Sequence, residues 1–301
     1  MRVFVTGASG YIGGAVARAF RKRGHYVFGL VRSEENAKKL RADEIVPVIG
    51  DLKTPQSYFE AIREAEVLVH TAFDGSTEGI QRDSETIDNF IKIAQTNAYT
   101  RQIIYTSGCW IYGNTHGKIV DEASPVNPLE IVKWRPIHEE KIIKATSQNI
   151  RTVVIRPGCV YGGSGGLSDA WFSSAQKGEV EIVGDGKNYC SMIHLDDLAR
   201  AYVLASEQEK SGIVLNINDG SHHTIMEMAQ AVAQVASASE KIKCLSYEVA
   251  KEQMGRSAQG LSASQKISNE RARRLLGWQP LHASFIDEVA LHYDAWKANV
   301  H

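Results

Sequence analysis

The sequence predicts an α/β protein: a doubly wound parallel sheet with a smaller, interleaved C-terminal lobe. Three observations carry this expectation. Short β-branched runs alternate with amphipathic stretches through the first half of the 301 residues. A glycine-rich turn joins the first such run to the first amphipathic stretch. After about residue 158 the alternation gives way to a glycine-rich loop and a series of helical patterns.

The elements follow in order. RVFVT is a β-branched strand, and YIGGAVARAFRKRG places Ile12, Val16, Ala19 and Phe20 at helical spacing until Gly24 closes the helix. HYVFGLV is the second strand and EENAKKLRA the second helix. EIVPVIGD is a third strand that Pro47 makes less regular. A helix around QSYFEAIREA leads to the buried strand VLVHTA. A long helix over 79–97 precedes the strand RQIIYTS. IVKWRPIHEEKIIKATSQ is helical in period, with Pro136 as a kink or a first turn, and RTVVIRPG is the next strand. Beyond it GIVLNIND is a strand able to return to the main sheet, and helices are expected near 224–237, 267–276 and 284–298. Strands alternating with helices require crossovers, hence a parallel sheet covered on both faces.

Composition excludes several classes. The hydrophobic fraction of 43% and charged fraction of 23% are those of a globular chain, and a formal net charge of −1 offers no attraction to nucleic acid or an anionic membrane. No apolar run approaches the roughly 18 residues of a membrane span. The N-terminal MRVFVTGASG enters a strand at once, so neither a signal peptide nor a location outside the cytoplasm is expected. Cys109, Cys159, Cys190 and Cys244 form no C-x-x-C pair and no zinc spacing, so free thiols and no metal are expected.

The turn TGASGYIG (6–13) carries glycines at Gly7, Gly10 and Gly13. A strand ends, the backbone turns tightly, and a helix opens with unbonded N–H groups. Glycines there let a pyrophosphate approach the main chain, with Ser9, Tyr11 and Ile12 beside it. The preceding strand and the following amphipathic helix are the context that makes a lone glycine motif specific for a dinucleotide. The second strand ends Val31–Arg32, where an NAD-binding chain tends to carry an acid for the ribose hydroxyls. A guanidinium pairs with a 2′-phosphate, which favours NADP over NAD; the alternative is a solvated surface arginine. Asp51 and Leu52, after the third strand, and Thr71, Ala72 and Phe73, after the fourth, are expected beside the cofactor.

With these residues in view the chain resembles the extended or atypical short-chain dehydrogenases/reductases of the NAD-dependent epimerase/dehydratase superfamily, along nearly its whole length. TGASGYIG is similar to their TGxxGxxG. TSGCWIYG (106–113) resembles their Ser-rich strand end leading to Tyr-Gly, and RPGCVYG (156–162) their RPxxVYG. GDGKNYCSMIHLDDLARA (184–201) resembles the segment with His-x-Asp-Asp, and GWQP (277–280) a common C-terminal signature. The resemblance implies a Rossmann-like domain over 1–158, with 190–220 returning to it. A smaller substrate-binding lobe is implied from 159–189 and 221–301. It also implies Pro157, Gly158 and Val160 near the cofactor, His194 in a structural role between strand and helix, and a homodimer, for which the 79–97 helix is a candidate face.

The family's catalytic set is a Ser or Thr, a Tyr that donates or accepts a proton, and a Lys. A Glu usually follows the Lys by four residues. If Glu139 is that Glu, Arg135 stands at the Lys position and Ile131 at the Tyr position; if Trp134 replaces the Tyr, His138 stands at the Lys position. The first register keeps a cation and is preferred, and both lose the phenol. Ser107 is the hydroxyl nearest the position of the family Ser, which aligns with Gly108. Losing a general acid costs roughly 10²–10⁴-fold in rate. Arg135 stabilises negative charge but does not readily give up a proton. Tyr161, His138, Tyr112 and His116 are the candidates to replace the phenol.

The stretch GGSGGLSD (162–169), with Trp171 and Phe172 behind it, is read either as a substrate loop or as a plain connection with a buried aromatic anchor. Lys187 is the only cation in IVGDGKNYCS, so a nucleotide-sugar substrate is not implied. The expected function is NADP-dependent oxidation or reduction of a small alcohol or carbonyl compound. The alternatives are an epimerase or dehydratase with tightly bound cofactor, and a catalytically silent NADP-sensing regulator.

Overall fold

The computed structural model describes residues 1–96, 100–163, 165–237 and 241–300. The expected end of the long helix at 97, and Ser164 within the 162–169 loop, lie outside the described residues. In chain order the strands are β1 (Arg2–Thr6), β2 (Tyr26–Val31), β3 (Val46–Ile49), β4 (Val67–His70), β5 (Arg101–Thr106), β6 (Ile119–Val120), β7 (Ile150–Pro157), β8 (Cys159–Tyr161), β9 (Val180–Val183), β10 (Met192–His194), β11 (Ile213–Ile217), β12 (Ile242–Leu245) and β13 (Lys266–Ile267). The helices that frame the argument are α1 (Tyr11–Lys22), α2 (Glu34–Ala42), α3 (Phe59–Glu64), α4 (Thr77–Gln95) and α5 (Arg135–Lys144).

The chain forms two compact units. The first comprises Met1–Ser107, Trp134–Arg156 and Leu198–Leu215. Its sheet runs in the order β11-β7-β5-β4-β1-β2-β3. From β7 to β3 every neighbouring pair is parallel. The sheet is the Rossmann-like doubly wound α/β arrangement that the alternation of elements predicts, and β11 does return to it. Pro47 is tolerated because β3 is the last strand, where a missing N–H leaves no ladder bond unmade. Phe4, Leu68, Ile103 and Val154 of the strands share one core cluster with Ile87 and Phe90 of α4 and Ile142 of α5. Each such side chain taken fully from water contributes about 1.5–3 kcal/mol. α1 packs on β1 and β2.

Local signals set the helix ends. Ser76 caps α4 by accepting from Gly79 N at 2.9 Å, so the helix begins at Thr77, two residues before the expected start. Pro136 falls in the first turn of α5, where its missing N–H would have had no partner.

The second unit is Gly108–Lys133, Pro157–Asp197 and Asn216–His301. It carries the two-stranded pairs β8–β10, β9–β12 and β6–β13. Tyr161, Trp171, Phe172, Phe285 and Trp296 lie in its main core cluster. This division differs from the sequence expectation. Residues 108–133 belong to the second unit, not the first, and the second unit is no smaller. Gln265 explains part of that: its side-chain amide donates to the carbonyls of Cys109 and Gly113 at 2.9 and 2.8 Å, tying 109–113 to a C-terminal segment 156 residues away.

Candidate functional site

The sheet order reverses around β1, whose neighbours β2 and β4 lead to opposite edges. Such a switch point leaves a crevice beyond the C-terminal strand ends. Here the chain leaves Thr6, reverses at Gly7 with φ +68°, and enters α1 at Tyr11. A Cβ on Gly13 would sit 2.2 Å from the Gly7 carbonyl oxygen and 2.5 Å from Thr71 Oγ1. α1 therefore lies closer to the ends of β1 and β4 than any side chain permits. Gly10 caps α1 without a side-chain bond and the first turn carries no acid. The first N–H groups, with about half a positive charge from the helix dipole, are left for an anion.

A cleft of about 470 Å³ opens at this turn. Its lining includes Gly7, residues 9–13, Arg32, Asp51, Leu52 and residues 71–73, which the structure thus brings together as the sequence suggested. Lys53, Asp74, Arg82 and Asp83 also line it and were not anticipated. Arg32 and Lys53 are both exposed, and among the described residues Arg32 makes no ion pair. Asp51 Oδ1 accepts the Lys53 amide at 2.8 Å, fixing the loop after β3. Asp74 and Arg82 bind one another and Ser76; the Ser76 hydroxyl leads in lowering the Asp74 carboxyl to about 2.

At the end of β5, Arg135 Nη1 donates to the Thr106 carbonyl at 2.8 Å. Its guanidinium sits 4.5 Å over the Trp134 ring and 5.5 Å from that of Phe73. Backbone bond and ring contacts together hold the cation at the strand end. Ser107 follows Thr106; its amide donates to Ile155 O at 2.7 Å, while its buried Oγ has no partner among the described residues. The structure therefore places Arg135 and Ser107 at one strand end, with the Ser107 hydroxyl buried and unsatisfied among the described residues.

Beneath the cleft lies a buried polar network. Asp83 of α4 is 4% exposed. Its Oδ2 accepts from Tyr105 Oη at 2.8 Å and meets His138 Nδ1 at 2.6 Å; its Oδ1 lies 3.3 Å from His70 Nε2. Burial pushes the Asp83 carboxyl up, but the hydrogen bond from His138 and the proximity of His70 and Arg135 outweigh it and hold the group well below the usual carboxylate range. Burial, then Asp83, drives the Tyr105 phenol far above its ordinary value. The signal for Asp83 was in the sequence: it occupies the buried stripe of α4 with Gly79, Thr86, Ile87, Phe90 and Ala94, where an acid needs a partner.

Other expected residues fall elsewhere. Tyr161 is fully buried in the second unit, edge-on to His194, Phe285 and His292 at 5.1–5.3 Å. Its full burial among these rings makes it a core residue, and that burial also pushes its phenol up. Tyr112 is buried and donates to Asn216 Oδ1 at 2.8 Å. His116 is an exposed loop residue with φ +49°. Pro157, Gly158 and Val160 belong to the second unit, not to the lining of the cleft. Gly158 is explained by packing: a Cβ there would lie 2.5 Å from the Ser191 carbonyl oxygen. Val160 pairs with Ile193 in the β8–β10 ladder. His194 Nδ1 accepts the Asp196 amide at 3.2 Å. Ligand atoms of His194, Asp196 and His282 come within 4.8 Å of one another, yet that bond leaves the His194 proton on Nε2, and the His194 and His282 rings stack at 3.5 Å. Packed rings, not converging lone pairs, describe that cluster.

The profile of the NAD dependent epimerase/dehydratase family matches residues 3–218. The chain belongs to this family. Its relatives include an uncharacterized protein of Schizosaccharomyces pombe, 31% identical over 96% of this chain and 98% of the other. A 2-alkyl-3-oxoalkanoate reductase of Stenotrophomonas maltophilia is 24% identical over 83% and 80%. Among solved structures, the UDP-glucose 4-epimerase of Thermotoga maritima superposes with a TM-score of 0.85 at 17% identity, covering 100% of each chain, which shows a shared fold. As a family member the chain is an NAD(P)-binding enzyme of the oxidoreductase kind. No helix among the described residues is long and apolar enough to cross a membrane.

Proposed function

We propose that the protein is an NADP-dependent oxidoreductase that interconverts a small carbonyl compound and its alcohol. Arg32 is the observation that carries the cofactor choice: an exposed cation on the cleft lining, without an ion pair among the described residues, at a strand end where a ribose-binding acid would favour NAD. Lys53 adds a second cation to the same lining. The residues fit the dinucleotide: the N-terminus of α1 for the pyrophosphate, Arg32 for the 2′-phosphate, the end of β5 for the reactive ring. The bound dinucleotide supplies or accepts the hydride.

On the substrate side, Arg135 holds negative charge on a forming alkoxide and Ser107 Oγ orients the same oxygen. The family Tyr is missing here, since Ile131 stands at its position when Glu139 is aligned with the family Glu. The Stenotrophomonas relative, by its name a reductase of an oxoalkanoate, supports a carbonyl substrate. Four free cysteines support a reducing, cytosolic setting.

The variant Arg32→Ala tests the reading. NADPH affinity is expected to fall about 10–100-fold, the worth of one or two charged hydrogen bonds, with NADH affinity nearly unchanged. Fluorescence titration of both cofactors measures this, and equal loss for the two contradicts the role given to Arg32. Cofactor that stays bound through gel filtration would point to the epimerase or dehydratase chemistry instead.

A further inference from the structure

We infer that His138 carries, on Nε2, the proton that the missing phenol would have delivered, and that Asp83 is its positioning residue; the inference rests on the oxidoreductase reading above. The argument is a count of donors and acceptors. Thr6 Oγ1 accepts the amides of Thr71 and Ala72 at 3.2 and 3.3 Å, which occupies both lone pairs. Its 2.7 Å contact with His70 Nδ1 must then be hydroxyl to ring nitrogen. His70 is thereby fixed as the neutral tautomer, with its proton on Nε2, facing Asp83 Oδ1.

Tyr105 is likewise a neutral donor to Asp83. A carboxylate this buried needs a cation nearby. Arg135 supplies part of that charge through space, and His138 is the group in direct contact: its Nδ1–H donates to Asp83 Oδ2 at 2.6 Å, in the imidazolium as in the neutral ring. That leaves Nε2 as the ring atom able to carry a second proton, and the one hydrogen bond of the ring among the described residues is the one at Nδ1. His138 follows Arg135 by three residues, so both project from one face of α5, with the Trp134 ring 4.8 Å from the imidazole. The charged and titratable groups around it are Asp83 from α4, His70 from β4 and Tyr105 from β5. On its own helix they are Arg135 and Glu139, the latter paired with Arg156.

The step is a proton transfer. A carbonyl substrate reduced in the site would become an alkoxide at its oxygen, and the chain's own residues would supply the proton. The Nε2–H bond of His138 breaks, its electron pair stays on the ring, and an O–H bond forms on the substrate. His138 is left neutral with Nδ1–H still on Asp83, and water restores the proton on Nε2.

The test needs no known substrate. Long-range ¹H–¹⁵N NMR of the imidazoles in the full-length protein is expected to show His70 as the Nε2–H tautomer. His138 is expected to keep Nδ1–H, with any second proton carried on Nε2. The oxidised nicotinamide ring is positive, so protonated His138 disfavours NADP⁺ relative to NADPH. As pH is lowered, the NADP⁺/NADPH ratio of Kd values is expected to rise about tenfold. In His138→Gln that ratio stays flat while NADPH still binds; in Asp83→Asn the His138 ring loses its fixed Nδ1–H tautomer. Two results overturn the assignment while leaving the oxidoreductase reading intact: His138 bearing its neutral-form proton on Nε2, or both cofactors binding with a ratio indifferent to pH. Wild-type protein that binds no dinucleotide overturns both.

Discussion

Replacing Glu139 with alanine is expected to cost about 3–5 kcal/mol of folding stability, the scale for removing one partner of a buried ion pair. Glu139 and Arg156 have side chains only 6% and 7% exposed. Arg156 Nε donates to both carboxylate oxygens at 3.0 and 3.2 Å, and Nη2 donates to Oε2 at 2.5 Å. The pair fastens α5 to the end of β7. Without the carboxylate the guanidinium stays in a dry place with its counter-charge gone. Urea unfolding of Glu139→Ala beside wild type measures the loss. The double variant Glu139→Met with Arg156→Met is expected to recover most of it, because apolar groups of similar size remove both desolvation penalties. A single-variant loss below about 1 kcal/mol would place this pair among weak surface pairs and contradict the account. Because Arg135 and His138 lie within one turn of Glu139 on α5, the single variant is also expected to weaken any turnover that depends on them.

Gly13→Val is expected to abolish dinucleotide binding, lowering NADPH affinity at least about 100-fold, near 2.7 kcal/mol. The added atoms meet the Gly7 carbonyl and the Thr71 hydroxyl at distances real Cβ atoms do not adopt, and the first of these is backbone, which cannot swing away. Relief requires α1 to move off β1 and β4, taking its N–H groups from the anion site. Overpacking of this kind also costs about 1–3 kcal/mol of stability. Gly14→Ala is the control on the same helix. Its Cβ meets nothing nearer than the Ala8 carbonyl oxygen at 3.2 Å, and it is expected to bind within a few-fold of wild type. Equal binding by Gly13→Val and wild type would show that this turn does not hold the cofactor.

The cofactor side of the site was legible because it is written in backbone demands. Gly7 and Gly13 are required by a positive φ and by a close approach, and those demands sit within one strand–turn–helix unit that sequence spacing exposes. The place of Arg32 on the cleft lining was legible for the same reason, as the end of a countable strand. The proton-handling side was not, because its parts converge from separate elements: Asp83 from α4, His70 from β4, Tyr105 from β5 and His138 from α5. His138 was among the candidates for the missing phenol and Asp83 stood out as a polar residue on an apolar helix stripe, but the contacts that join them were not readable from spacing. Tyr161 was misjudged because a tyrosine in VYG has the same local pattern whether it lines a cleft or fills a core. Its burial is decided by Phe285 and His292, more than 120 residues downstream. The placement of 108–133 in the second unit was equally out of reach, since it depends on long-range partners such as Gln265.

Isothermal titration of the wild-type protein with NADPH, NADP⁺, NADH and NAD⁺ tests the central claim most directly. One site per chain, with NADPH bound near micromolar strength, about −8 kcal/mol, and more tightly than NADH, is the predicted result. No heat and no thermal shift with any of the four would contradict it.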